Sequence, residues 1–205
     1  MANPPTFPRA VDIVELDDLI PLAYQDQIEA EVRSDRMAWF FSEESGRRVS
    51  GVEANYAGFS HLVYHVDGGL SASSSMTALL LPLLYIFCDR ARRPFNTLLR
   101  IRLGLFPRTM IDVPHHNPHV DFYQPHQSAI YYVNDSDGDT VIFNETSDEV
   151  SLEQSLRYTK EGRFTVAAKV SPKKGRMCGF DGRYYHASMH PRQSSSRFAI
   201  AFSFL

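Results

Sequence analysis

The stretch "TLLRIRLGLF" (residues 97–106) decides the fold, because polar and apolar side chains alternate along it. Arg100 and Arg102 alternate with Ile101 and Leu103. A period of two is typical of a β-strand whose two faces meet different surroundings. This stretch therefore predicts a strand with one apolar face. Its arginine face either lines a site or is exposed to solvent.

Similar short runs fill the rest of the C-terminal half. They are "SAIYYVN" (128–134), "DTVIF" (139–143), "FTVAAKV" (164–170), "RMCGF" (176–180) and "RFAIAFSF" (197–204). Turn clusters such as "SPKKG" (171–175) separate them, and we expect no helix between them. Six or more such strands predict an antiparallel jelly roll or barrel.

Two helices are expected in the N-terminal half. Tyr24, Ile28 and Val32 recur at helical spacing, and we expect Asp17 and Asp18 to cap this first helix. The second helix has a fuller apolar stripe, formed by Met76, Leu79, Leu80, Leu83, Leu84, Phe87 and Cys88. The serines at 73–75 offer caps for it, and Pro82 should kink it or mark a restart. The predicted fold class is mainly β, with these helices covering one side.

The composition is that of one ordinary globular domain. The chain has 205 residues, of which 43% are hydrophobic and 22% charged. We expect a single domain over 1–205, with a helical support region at about 10–94 and a jelly-roll core at about 95–205. Only the proline-rich tip up to Pro8 has the composition of a linker.

The charge distribution and the N-terminal sequence restrict the expected partners and the cellular compartment. The net charge is −3 with both signs interspersed, so neither a nucleic acid nor an anionic membrane is expected as a partner. The first residues lack the pattern of a signal peptide, and no apolar run is long enough to span a bilayer. Cys88 and Cys178 lie in apolar segments and suit buried thiols. These features predict a cytoplasmic protein.

The acidic cluster "NDSDGDT" (134–140) alternates aspartates as a calcium-binding loop does. Counted from Asp135, the sixth position holds Thr140 where a glycine is needed, and the twelfth holds Thr146 where a glutamate is needed. A hairpin turn accounts for the cluster better.

The segment "PHHNPHVDFY" (114–123) carries the first candidate for chemistry. In an extended strand, residues i and i+2 project from one face, so His119 and Asp121 can direct a nitrogen and an oxygen at one point. The strongest third ligand is His186 in "FDGRYYHASMHP" (180–191), because the strand ends of a jelly roll meet at one mouth.

Two histidines and one carboxylate form the facial triad of non-haem Fe(II) oxygenases, which leaves metal positions open. A structural zinc site would instead be closed by four ligands, commonly with cysteine. Arg197 begins the last predicted strand, where its guanidinium could point inward at a carboxylate. A metal triad with an inward arginine matches a dicarboxylate co-substrate.

From about Leu98 to Phe204 the sequence resembles the 2-oxoglutarate and Fe(II)-dependent dioxygenases, in particular their prolyl-hydroxylase-like branch. The matching pieces, in the family's order, are "HVD" (119–121), "IYYVN" (130–134), "GDTVIF" (138–143), "PKKGRMCGFDG" with the later "YH" (172–186) and "RFAIAFSF" (197–204). Phe106 stands where close relatives among the oxygen sensors carry a tyrosine.

The resemblance implies a double-stranded β-helix, which is a jelly roll, and an oxidoreductase that hydroxylates a peptidyl proline or another amino-acid side chain. It implies His119, Asp121 and His186 as Fe(II) ligands. Arg197 and Tyr132 would bind 2-oxoglutarate, with dioxygen as second co-substrate and ascorbate as an optional reductant. Tyr131 should then face into packing.

Alternatives remain open from the sequence. A non-catalytic jelly-roll module that binds a metal or a partner uses the same scaffold. A cupin-like enzyme would need a His-x-His pair, which "HVD" does not supply. His115, His116 and His126 either support the site or are exposed loop histidines, and His190 is not expected to be a ligand. The substrate can be a peptide, a protein or a small molecule.

Overall fold

A computed structural model describes residues 11–42, 57–68, 76–110 and 115–205. The helices are α1 (Leu22–Val32), α2 (Met76–Ala91) and α3 (Leu152–Glu161), with a 3-10 turn at Val66–Gly68. The strands are β1 (Val14–Leu16), β2 (Phe40–Ser42), β3 (Gly58–His65), β4 (Leu98–Pro107), β5 (Gln127–Tyr132), β6 (Thr140–Thr146), β7 (Val166–Val170), β8 (Met177–Asp181), β9 (Tyr184–Ser188) and β10 (Ser196–Phe204). No helix in the described ranges is long and apolar enough to cross a membrane.

The strands form two antiparallel sheets. The major sheet has seven strands in the order β1-β8-β5-β10-β4-β3-β2, and the minor sheet has three in the order β7-β6-β9. From β5 onward the chain passes from the major sheet to the minor sheet and back twice. This winding of two sheets is a jelly roll, so the predicted mainly β fold class is confirmed.

Strand β10 separates the helical core from the interior between the sheets. Phe198, Ile200, Phe202 and Phe204 belong to the hydrophobic core that also contains the buried faces of α1 and α2. The alternate residues of β10, which begin with Arg197, point the other way because side chains alternate across a strand. Helices α1 and α2 therefore cover one face of the major sheet, and its other face is left for a site.

Helix α2 follows the predicted apolar stripe. Its buried residues are Met76, Leu80, Leu83, Leu84, Phe87 and Cys88, and the helix continues through Pro82 without a restart. Helix α1 buries Ile28 and Val32 as expected. The serines at 73–75 and the tip up to Pro8 lie outside the described residues.

The predicted caps of α1 are wrong. Pro21 is the N-cap of this helix, and no side chain caps it. Asp17 instead accepts hydrogen bonds from Lys173 Nζ (2.8 Å) and Arg176 Nε (2.6 Å), and Asp18 has a left-handed backbone (φ 48°). Asp17 therefore pairs with Lys173 and Arg176 on the loop before β8 instead of capping α1, because hydrogen bonds between charged groups are the stronger ones.

The expectation that no helix interrupts the strands is also wrong, because α3 lies between β6 and β7. Its start is a capping box: Ser151 Oγ accepts from the Gln154 backbone, and the Gln154 side chain accepts from the Ser151 backbone. Gly162 ends the helix with φ of 62°. The S-x-x-Q spacing of Ser151 and Gln154 is a sequence signal for the start of a helix, and it was missed because strand-like runs lie on both sides of it.

The cluster 134–140 is not a hairpin. Strands β5 and β6 lie in different sheets, so the segment between them crosses from one sheet to the other. Asp137 accepts hydrogen bonds from the backbone N–H groups of Arg192, Gln193 and Ser194 at 2.8 to 2.9 Å. Asp137 therefore ties this crossing to the loop before β10, and Asp135 ties it to the loop before β8 by accepting from the Lys174 backbone (2.8 Å).

Candidate active site

His119 and His186 lie directly opposite each other across a short antiparallel bridge. The His119 N–H donates to the His186 carbonyl (3.0 Å), and the His186 N–H donates to the His119 carbonyl (2.9 Å). Their ring centroids are 4.7 Å apart. Two segments distant in sequence thus place both imidazoles at one point.

Backbone carbonyls select the tautomer of both rings. His119 Nδ1 lies 3.1 Å from the Asn117 carbonyl oxygen, and His186 Nδ1 lies 3.2 Å from that of Tyr184. A carbonyl oxygen only accepts, so each Nδ1 carries the hydrogen. Nε2 is then the lone-pair atom of each ring, which is the arrangement that metal-binding histidines use.

Asp121 completes a group of three donors. One ligand atom each from His119, Asp121 and His186 lies within 4.8 Å of the other two. The Asp121 carboxylate is held at both oxygens: Oδ2 accepts from Ser203 Oγ (3.0 Å), and Oδ1 forms an ion pair with Arg100. A carboxylate fixed in this way is oriented before any metal binds it.

The electrostatics keep His119 and Asp121 in the form that binds a metal. Burial and the neighbouring His186 lower the pKa of His119 to about 4, so this imidazole is neutral at neutral pH. Burial opposes the ionisation of Asp121, but Arg100 and both histidines outweigh it and hold the pKa well below its usual range. A neutral imidazole and an ionised carboxylate are the forms that bind a divalent metal.

Arg197 carries a positive charge into the interior. Its side chain is buried, with 1% of the residue exposed. Nη2 donates to Thr140 Oγ1 (2.8 Å) and Nη1 donates to Ser188 Oγ (3.2 Å). Nε has no hydrogen-bond partner, and no carboxylate among the described residues forms an ion pair with this guanidinium. Such a charge is costly unless an anion joins it.

Tyr132 stands behind Arg197. Its hydroxyl donates to Thr140 Oγ1 (2.7 Å) and lies 3.5 Å from Cys178 Sγ, and burial raises its pKa well above the usual range. Tyr132 is not among the described residues that line the pocket, but its ring lies next to Arg197, whose guanidinium carbon is 5.6 Å from the ring centroid. Tyr131 packs in the helical core, as expected.

One pocket contains both the donor triad and Arg197. It encloses about 680 Å³ of empty space, counting its open mouth. The described residues that line it are Phe59, Arg100, Arg102, Gly104, Phe106, His116, His119, Asp121, Ser128, Ala129, Ile130, His186, Ser188, Arg197, Ala199, Ala201 and Phe202. Of the two predictions for the arginine face of β4, the site-facing one is confirmed.

The loop histidines are mostly buried, so their interpretation as exposed residues is wrong for His116 and His126. His116 is 2% exposed and His126 is 4% exposed. The His116 ring packs on Phe106 and on His190, with centroids 4.9 and 4.7 Å away. These rings form an aromatic wall next to Arg197. His190 lies outside the donor triad, as expected.

Sequence reasoning missed the residues that orient the site. Ser203 positions Asp121, and Thr140 and Ser188 hold Arg197. The signal for Ser203 was available, because Arg197 and Ser203 are an even number of residues apart on one strand and therefore share a face. Thr140 and Ser188 depend on the contact between the two sheets, which the sequence pattern does not specify.

The chain is similar to known proteins in structure but not detectably in sequence. No protein-family model and no curated protein sequence matches the chain. Among the similar solved structures is the non-heme alpha-ketoglutarate-dependent epimerase SnoN from nogalamycin biosynthesis, with a TM-score of 0.67 and 12% identity over 96% of this chain and 79% of that one. A Pseudomonas putida prolyl-4-hydroxylase is similar with a TM-score of 0.57 and 15% identity over 95% and 92%.

HygX from Streptomyces hygroscopicus, solved with nickel and 2-oxoglutarate, is also similar, with a TM-score of 0.58 and 13% identity over 95% and 83%. At these identities the likeness shows a common fold. The chain therefore shares its fold, a double-stranded β-helix, with these three proteins along nearly its whole length.

Proposed function

We propose that the protein is a 2-oxoglutarate and Fe(II)-dependent dioxygenase. One observation carries the proposal: a single pocket holds three candidate metal donors together with a buried guanidinium. The donors favour a divalent metal that keeps open positions. The guanidinium favours the far end of a dicarboxylate.

In this proposal His119, Asp121 and His186 hold the metal. Fe(II) with 2-oxoglutarate and dioxygen supplies the chemistry: an oxygen atom enters a substrate C–H bond, while 2-oxoglutarate and the other oxygen atom become succinate and carbon dioxide. Ser203 and Arg100 keep the Asp121 carboxylate oriented. Asp121 would also occupy a coordination position that a halogenase leaves open for halide, so we propose hydroxylation.

Arg197 would bind the distal carboxylate of 2-oxoglutarate through the planar fork of its guanidinium. The pocket wall between Arg197 and the metal donors is made of small residues, namely Ala199, Ala201 and Gly104. Thr140 Oγ1 accepts hydrogen bonds from both Arg197 and Tyr132. Tyr132 would therefore affect the co-substrate either through the Thr140 hydroxyl or by reorienting its own hydroxyl toward the co-substrate. The aromatic wall of Phe106 and His116 excludes water from this end.

The proposed substrate class is broader than the proposed reaction. The similar structures include a prolyl-4-hydroxylase and an epimerase of nogalamycin biosynthesis, so this fold serves peptidyl and small-molecule chemistry alike. A peptidyl proline or another amino-acid side chain stays our first expectation. The two described cysteines are buried and free, which suits the reducing cytoplasm we propose as its location.

The test is succinate formation from 2-oxoglutarate in the presence of Fe(II) and ascorbate. Wild type is compared with Asp121→Ala and His186→Ala, and with two matched controls outside the pocket: Asp89→Ala at an exposed position and His61→Ala at a half-buried one. We expect turnover in the wild type and the controls only. Metal-dependent turnover that persists in both Asp121→Ala and His186→Ala contradicts the proposed ligands.

A further inference from the structure

The two oxygens of the Asp121 carboxylate have different neighbours. Oδ2 accepts a hydrogen bond from Ser203 Oγ at 3.0 Å. Oδ1 lies 3.9 Å from His119 Nε2, which is the lone-pair atom of that ring, so Oδ1 is the oxygen directed at the proposed metal position. Arg100 Nη2 forms its ion pair with this same oxygen. The guanidinium and the metal would therefore share one ligand atom.

Arg100 is held beside this carboxylate by its strand and by an aromatic ring. Arg100 on β4 lies opposite Ser203 on β10, so the two side chains approach the carboxylate from neighbouring strands. The guanidinium also lies over the Phe122 ring, with its carbon 5.6 Å from the ring centroid. Phe122 packs in turn against the rings of His65 and His126, whose centroids are 5.8 and 5.5 Å away. The carboxylate and the ring together fix the guanidinium.

The ion pair is largely shielded from water. The side chain of Arg100 is 15% exposed and that of Asp121 is 7% exposed. Charges in such surroundings act on one another more strongly than exposed charges, because little water screens them. The positive charge of Arg100 therefore acts on whatever cation binds at the other side of Oδ1.

A guanidinium on the coordinating oxygen has two effects on a metal ion. It draws electron density from Oδ1, which makes the carboxylate a weaker donor, and its charge repels the charge of the metal. Both effects increase with the charge of the metal, so they disfavour Fe(III) more than Fe(II). The orientation of Asp121 does not depend on Arg100 alone, because Ser203 holds the other oxygen.

We propose that Arg100 sets the oxidation state that the metal site prefers, by favouring Fe(II) over Fe(III) through its ion pair with Asp121. Arg100 acts through the carboxylate, so it is a positioning residue and not a metal ligand. Fe(II) is the form that the proposed reaction requires. This inference rests on the proposed function, because it assumes that His119, Asp121 and His186 bind iron.

The experiment measures the midpoint potential of the full chain loaded with iron, by spectroelectrochemical titration. Wild type is compared with two neutral variants, Arg100→Met and Arg100→Gln, and with Arg100→Lys, which keeps the charge. Arg100→Gln keeps a hydrogen-bond donor beside Asp121, which guards against a loss of fold in Arg100→Met. Arg157→Met is the control, because Arg157 is exposed on α3. Calorimetric Zn(II) titration of the same proteins measures metal affinity without redox chemistry.

We expect the potential of the neutral variants to fall by at least about 59 mV, which is a tenfold shift in preference toward Fe(III) for a one-electron couple. Arg100→Lys should keep most of the wild-type value, and Arg157→Met all of it. The neutral variants should bind Zn(II) at least as tightly as wild type does, because a repelling charge is gone.

A potential in the neutral variants that equals or exceeds the wild-type value overturns the inference. Weaker Zn(II) binding with an unchanged potential would assign Arg100 to the orientation of Asp121 alone. A wild type that binds neither iron nor Zn(II) overturns the proposed function, and the inference with it.

Discussion

The His119 and His186 backbones exchange both of their hydrogen bonds, at N···O distances of 3.0 and 2.9 Å, and so hold the two rings 4.7 Å apart between centroids. These bonds need no side chain. His186→Ala should therefore keep the fold while losing metal affinity. Since changes around a metal ligand already cost about 10- to 100-fold in affinity, we expect a loss of at least about 100-fold for a ligand itself. Calorimetric Zn(II) titration of His186→Ala beside His61→Ala measures it, and equal affinities would contradict the assignment.

Ser203 should tune the metal site without binding the metal. Ser203→Ala removes the hydrogen bond to Asp121 Oδ2, so the carboxylate is less firmly oriented. We expect Zn(II) affinity to fall about tenfold. Ser196→Ala, the same change at the start of the same strand, is the control. A Ser203→Ala protein with wild-type affinity would show that Arg100 alone orients Asp121.

Arg197 should be more important for binding than for stability. Its buried guanidinium has no carboxylate partner among the described residues, and replacing a poorly compensated buried charge by an apolar side chain of similar size is often neutral or stabilising. Arg197→Met should therefore keep or raise the melting temperature without ligand. The additional stabilisation by 2-oxoglutarate with Zn(II) should disappear. Marked loss of ligand-free stability would indicate a structural role instead.

Acid should destabilise the protein through His116 and His190. Burial lowers the pKa of both rings, and each also lies near other positive groups. A folded-state pKa below the unfolded value of about 6.5 gives stability that is full above pH 6.5 and is lost as the pH falls. The free energy of unfolding should fall between pH 7 and pH 5, by up to about 1.4 kcal/mol per pH unit for each histidine.

Chemical denaturation of the protein with its metal chelated measures this slope. His190→Asn keeps a donor for the Pro107 carbonyl, which His190 Nδ1 now contacts at 2.9 Å, but it cannot titrate. Its slope should be shallower than that of the wild type. The same slope in both proteins would assign the acid sensitivity to other groups.

Packing of α2 on β8 depends on Gly179. A Cβ added there would lie 2.4 Å from the Phe87 ring, which is too close for any real contact. We expect Gly179→Ala to lower the free energy of unfolding by about 1 to 3 kcal/mol. Adding Gly179→Ala to Phe87→Leu should cost less than it does in the wild type, because the smaller side chain leaves room. Strictly additive costs would contradict this contact.

Much of this fold follows from alternation that can be read along the chain. Arg100 and Arg102 face the pocket because Ile101 and Leu103 must face the helices, and Arg197 follows the same rule on β10. Contacts between residues distant in sequence explain the wrong prediction of the α1 caps. The Asp17 carboxylate binds Arg176, 159 residues away in sequence, and no local pattern reveals such a partner.

The candidate site was predictable in its donors but not in their support. "HVD" and the later histidine are residue types with chemistry of their own, so they stand out in a sequence. Ser203 and Asp121 meet across 82 residues, and their contact depends on strand register. Register is set by packing over the whole sheet, and a slip of one residue would reverse every side chain. The burial of His116 also depends on sequence-distant strands, because its ring packs on Phe106 of β4 and its N–H donates to the Ser188 carbonyl of β9.

Visible absorption of the anaerobic protein with Fe(II) and 2-oxoglutarate tests the central claim most directly, because a 2-oxo acid that chelates Fe(II) gives a charge-transfer band that neither component shows alone. We predict a saturable band in wild type and in His61→Ala, no band in His186→Ala, and at least a tenfold higher 2-oxoglutarate requirement in Arg197→Met. A wild type without the band, or a band of full strength in His186→Ala, would contradict the account.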